Sequence, residues 1–105
     1  MEKTFTDQNF EQEVLKSALP VLVDFFANWC QPCKLLAPII TAVAGSYEGK
    51  IKVGKLDVEV NQTTAQKYGV MGVPTMILFK AGKEAKRWVG LQSKEFLIEE
   101  LNKLT

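Results

Sequence analysis

Apolar residues crowd one stretch of the chain, residues 21–27 (VLVDFFA), with a single charged position, Asp24, inside it. So dense a run, rich in Val and Phe, predicts a strand covered on both faces, as at the centre of a parallel sheet. Ahead of it, residues 3–5 predict a short opening strand. Thr6 is placed to cap a helix carrying Phe10, Val14 and Leu15 at helical spacing and ending near residues 17–19, before Pro20. Beyond it, Leu36, Ile40, Val43 and Tyr47 recur every three or four positions after Pro32. That spacing predicts a helix of roughly four turns, bent at Pro38, which removes a backbone donor.

Residues 51–58 alternate well enough for another strand, Asn61 is placed to cap a short helix reaching Tyr68, and Gly69 stops it. Val70-Met71-Gly72-Val73-Pro74 reads as a loop. Residues 75–80 (TMILFK), a turn at Ala81-Gly82 and residues 83–89 predict an antiparallel hairpin. Ser93 caps a last helix whose apolar face is Leu97, Ile98, Leu101 and Leu104. Phe25, Phe79, Trp88 and the helix leucines are the expected core. The order βαβαβαββα describes an α/β protein: a mixed sheet of about five strands with four helices shared between its two faces. Ligands of such sheets sit beyond the carboxyl ends of the strands, where Trp29-Cys30-Gln31-Pro32-Cys33 falls.

Composition narrows the chemistry. The 105 residues suit one domain, residues 1–105, with 47% apolar and 24% charged residues, which is globular rather than disordered usage. A net charge of +1 spread along the chain leaves no footprint for nucleic acid or a membrane surface. No apolar run is long enough to span a bilayer, and the start Met1-Glu2-Lys3-Thr4 lacks a signal peptide's apolar segment, so a soluble, cytoplasmic protein is expected. The absence of histidine eliminates Cys-His and Ser-His catalysis. Two cysteines fall short of the four ligands of a structural zinc site, so no metal is expected; a site would need carboxylates or a second chain sharing its cysteine pair.

In Cys30-Gln31-Pro32-Cys33 the sulfurs are one helical turn apart, near disulfide spacing, and Pro32 suits a first helical turn. At the strand-to-helix junction, Cys30 receives unsatisfied backbone N–H groups and the positive end of the helix dipole, which favour thiolate over thiol. Cys30 is therefore the expected nucleophile. Cys33, one turn further in, is expected to be more buried and to act as the resolving thiol. A structural disulfide is the bland alternative, disfavoured in a reducing cytosol. Asp24 interrupts an apolar strand, and burial should push its carboxyl toward the range useful for proton transfer.

Five blocks, VDFFANWCQPCK at residues 23–34, Lys55-Leu56-Asp57-Val58, Tyr68-Gly69-Val70, Gly72-Val73-Pro74-Thr75 and Phe79-Lys80-Ala81-Gly82, stand in the order and spacing of the thioredoxin family, which the chain resembles over nearly its whole length. The resemblance implies the thioredoxin fold and a general protein dithiol-disulfide oxidoreductase that reduces protein disulfides through a mixed disulfide. It binds no cofactor beyond its own redox-active disulfide. The partners implied are disulfide-containing proteins and a thioredoxin reductase linked to NADPH or ferredoxin, the chain acting as a monomer in electron supply and redox homeostasis. By the same resemblance Asp24 deprotonates Cys33, Lys55 tunes Asp24, Pro74 is cis and faces the sulfurs, and Val73 pairs its backbone with an extended substrate segment. Trp29 forms an apolar docking wall, and Gly90 leaves room for the substrate chain.

Two departures stand out: Gln31 replaces the family's usual Gly, and Phe26 stands where Trp is common. Residues between the cysteines, Gln31 and Pro32 here, govern redox potential, which is expected within roughly 40 mV of thioredoxin's value of about −270 mV. The competing readings are an oxidant or isomerase of similar fold and a docking module that does not turn over.

Overall fold

A computed structural model describes residues 2–105; the expected single domain, residues 1–105, includes Met1, which lies outside them. Five strands form one sheet in the order β1-β3-β2-β4-β5. The apolar run becomes β2 (Val21–Phe26), at the centre, parallel to β3 (Lys52–Asp57) and antiparallel to β4 (Thr75–Lys80). β1 (Lys3–Thr4) runs parallel to β3 at one edge, and β5 (Lys83–Val89) completes the predicted hairpin at the other. The hairpin turns through Ala81 and Gly82, both at positive φ (52° and 79°).

Alternation along the strands divides the core. Leu22, Met76 and Leu78 meet Leu36, Ile40 and Val43 of α1 (Gln31–Ser46), together with Trp88 and with Leu97 and Leu101 of α3 (Lys94–Leu104). On the other face Val21, Val23, Phe25, Ile77 and Phe79 pack with Phe5, Phe10, Val14 and Ala65, the last from α2 (Gln62–Lys67). Ser93 caps α3 as its sequence suggests, its hydroxyl accepting from the Phe96 N–H at 3.1 Å. Helix α1 runs through Pro38 without ending. None of the described helices is long and apolar enough to cross a membrane.

Two helix starts differ from expectation. Before β2 the chain forms only a π-helical segment, Glu11–Leu15. Thr6 and Asn9 bond reciprocally, Thr6 N–H to Asn9 Oδ1 at 2.8 Å and Asn9 N–H to Thr6 Oγ1 at 3.1 Å. One regular helical bond follows this capping box, Glu13 N–H to the Asn9 carbonyl at 2.8 Å. The segment then widens through the Lys16 N–H to Glu11 carbonyl bond, 2.9 Å. At α2, Asn61 occupies the cap position without capping. Its side chain is committed elsewhere, accepting from the Asp7 N–H at 2.9 Å and donating to the Asp57 carbonyl at 3.1 Å. Asp7 supplies the cap from 57 residues away, accepting from the Thr64 N–H at 2.9 Å and from the Thr64 hydroxyl at 2.6 Å.

The close approach of β1 to β3 depends on Gly54. A Cβ there would stand 2.5 Å from the Phe5 ring and 2.7 Å from the Lys3 carbonyl. Phe5 is fully buried and the carbonyl belongs to the ladder, so neither yields cheaply. Gly54→Ala is expected to destabilise the protein by about 2 kcal/mol, the usual scale of overpacking, seen as a lower denaturant midpoint with an unchanged slope.

Candidate active site

The site begins where β2 ends. Past Phe26 the chain turns over Asn28 and Trp29, with the Cys30 N–H bonded to the Ala27 carbonyl at 3.2 Å, and enters α1 at Gln31. Cys30 is the N-cap: its backbone is extended, and its sulfur accepts the Cys33 N–H at 3.2 Å, the bond a serine or aspartate oxygen commonly takes. Pro32 occupies the first turn, where its missing donor is not needed, and no acidic residue stands in that turn to offset the positive end of the dipole. Gln31, between the cysteines, is exposed.

Cys30 and Cys33 are joined as a disulfide, with Cα atoms 5.2 Å apart. Cys33 is not the more buried of the two, contrary to expectation: the residues are 3% and 4% exposed. Both cysteines belong to one buried cluster with Ala27, against which Phe26, Val58 and Val73 pack. What separates them is the side each faces. Cys30 Sγ lies 3.7 Å from the Val73 carbonyl, whereas Cys33 lines a cavity of about 210 Å³ that it shares with Asp24, Phe26 and Lys55.

Asp24 is 3% exposed, and its Oδ1 has no hydrogen-bond partner among the described residues. Burial, reinforced by the Glu2 carboxylate and opposed by Lys55, raises its carboxyl from an ordinary 3.8 to about 7. Lys55 is its register partner on β3, and its ammonium stands 5.7 Å from the centre of the Phe26 ring. The aromatic residue that replaces the family's frequent Trp thus forms the floor under that cation.

Opposite the sulfurs, the Val73-Pro74 peptide is cis. The Gly90 N–H donates to the Pro74 carbonyl at 2.8 Å, and the Thr75 hydroxyl to the Gly72 carbonyl at 2.7 Å, which fixes the loop from both sides. Gly90 adopts φ +93°, and no atom of the described residues occupies the space a Cβ would take. Trp29 is 69% exposed and lines a groove with Val58, Val70, Met71 and Val73. The structure thus brings Asp24 and Lys55 to the cavity of Cys33, sets Val73 beside Cys30 and joins Gly90 to Pro74. It also adds Glu59, whose carboxylate accepts the Trp29 indole N–H at 3.1 Å, and Met71, 98% exposed at the groove. Neither carries a signal in the sequence: Glu59 and Trp29 are 30 positions apart, and an isolated Met in a loop has no periodicity to betray it.

Comparison with known proteins gives the same answer as the geometry. The family model described as thioredoxin matches residues 2–103. The chain is 48% identical over 102 residues to the thioredoxin of Rickettsia bellii, covering 97% of each protein. It is 53% identical over 92 residues to that of Pseudomonas aeruginosa, covering 88% of this chain and 85% of the relative. Against thioredoxin 1 of a Nostoc species it is 46% identical over 98 residues, covering 93% and 92%. With the cysteine pair bonded at the head of α1, a match of this extent means that the chain belongs to the thioredoxin family of protein-disulfide oxidoreductases.

Proposed function

We propose that the chain, as a single domain and a monomer, works as a general cytoplasmic reductase of protein disulfides. The observation that carries this reading is the Cys30 sulfur, capping α1 and facing the Val73 backbone while Cys33 faces Asp24. In the reduced protein the N–H of Cys33 and the dipole stabilise a Cys30 thiolate. That thiolate attacks one sulfur of a substrate disulfide; the S–S bond breaks, and its electron pair leaves on the other substrate sulfur. Asp24 takes the proton of Cys33, which attacks the Cys30 sulfur of the mixed disulfide and expels the second substrate thiolate. Two electrons have then passed from the chain's dithiol to the substrate.

Substrate segments dock by main-chain bonds at Val73, with Trp29 as an apolar wall and Gly90 leaving the opposite side open, a mode that tolerates many side chains. Pro74 faces the sulfurs beside Val73, and Lys55 tunes Asp24. Gln31 and Pro32 adjust the potential, with no bound cofactor. A thioredoxin reductase drawing on NADPH or ferredoxin returns the dithiol.

The test is the equilibrium potential of the Cys30-Cys33 pair in a glutathione or dithiothreitol series, read by thiol labelling, with Gln31→Gly alongside. The expected value lies within roughly 40 mV of about −270 mV, and Gln31→Gly shifts it only modestly. A potential above that of the glutathione pool would instead assign an oxidant or isomerase, and the lack of a reversible couple a docking module.

A further inference from the structure

The cavity shared by Cys33 and Asp24 also holds a second carboxylate. Glu2, in the segment leading into β1, lines it together with Phe26, Lys34 and Lys55. The residue is half-buried and held from two directions. The Thr41 hydroxyl of α1 donates to Glu2 Oε1 at 2.7 Å, and the next residue, Lys3, is in register with Gly54 of β3. Asp24 is therefore faced by Glu2 from the N-terminal segment, by Lys34 from α1 and by Lys55 from β3. Oδ1 of Asp24 bonds to none of them. Lys55 is exposed and stands over the Phe26 ring, so its pull on Asp24 is partly screened by water.

We propose that Glu2 is a positioning residue for proton transfer: its carboxylate, anchored by Thr41 at the shared cavity, strengthens Asp24 as the acceptor of the Cys33 proton. Two negative charges at one cavity repel each other, and a proton on the buried one relieves the repulsion. Glu2 stands second to burial among the influences that raise the Asp24 carboxyl, and Lys55 opposes both. The inference rests on the reading of Asp24 as proton acceptor.

Glu2→Gln removes the charge while keeping an oxygen for the Thr41 hydroxyl, and Glu2→Asp keeps the charge. The test titrates the Asp24 carboxyl carbon by NMR in the full chain and its two variants, and follows the pH profile of mixed-disulfide resolution in the same proteins. Glu2→Gln should lower the Asp24 midpoint by roughly half a pH unit, the scale of a half-screened pair, which is about threefold more carboxylate at pH 6. The midpoint of the resolution profile should fall with it, and Glu2→Asp should stay near the unsubstituted protein. An Asp24 midpoint identical in the Gln variant and the unsubstituted protein overturns the inference. A midpoint that falls while the resolution profile stays put supports the coupling of the two carboxylates and removes Asp24 from the transfer.

Discussion

Cys33→Ser turns the protein into a covalent trap. Its Cys30 still attacks a substrate disulfide, but no second sulfur is in place to release the adduct, so a one-to-one mixed disulfide accumulates. Non-reducing electrophoresis and intact mass detect it, and dithiothreitol dissolves it. Cys30→Ser forms no such adduct, and its turnover falls by on the order of a thousandfold or more, to the rate of the reductant alone. The asymmetry follows from where each sulfur looks. Cys30 lies beside the Val73 carbonyl, while Cys33 lines a cavity with Asp24. A stable adduct carried by Cys33 in the Cys30→Ser protein would reverse the two roles.

Asp24→Asn should make the protein more stable and slower at once. The folded carboxyl holds its proton up to about pH 7 against an ordinary 3.8, so between those values the native state binds more protons than the unfolded chain. Its stability therefore falls as pH rises through that window. At about 1.4 kcal/mol per pH unit, the ionised carboxylate costs roughly 4 kcal/mol above pH 7. Asparagine cannot ionise; it should gain about 2–4 kcal/mol at pH 8 in denaturant unfolding, less whatever its own unpaired amide costs, and gain nothing near pH 4. Resolution of the mixed disulfide should slow by roughly a hundredfold, the lower end of the range for a positioned acid-base group. Equal stabilisation at pH 4 and pH 8 would place the effect in packing rather than in ionisation.

Much of this site was legible because its determinants are local. The cysteine pair, the proline between them and the helix that follows are consecutive, so spacing alone predicts a sulfur at a helix N-terminus. Asp24 was visible as a single charge in an apolar strand. The hairpin was legible for the same reason, its turn residues lying between two strand-forming runs. What escaped depends on side chains that meet across the fold. Asn61 has the right residue type in the right place to cap α2, yet Asp7 does so, because the Asn61 amide is taken by Asp7 N–H and the Asp57 carbonyl. The first helix was overestimated because Phe10, Val14 and Leu15 repeat at helical spacing whether the backbone closes regular turns or a single wider one. Relative burial of the two cysteines also escaped: Cys33 lies one turn further along α1, yet both residues are buried alike.

The cap on α2 ties together parts of the chain that the sheet does not. A helix of six residues is too short to persist on its own, and the carboxylate that satisfies its first turn belongs to the loop after β1. Loosening of that loop strips the helix of its cap, and Asn61 cannot take over without abandoning its own partners. The N-terminal turn and α2 are thus joined as one opening unit, remote in sequence yet bound to protect or expose their amides together. That unit flanks the sheet face opposite α1, so it can breathe without disturbing the helix that presents the sulfurs.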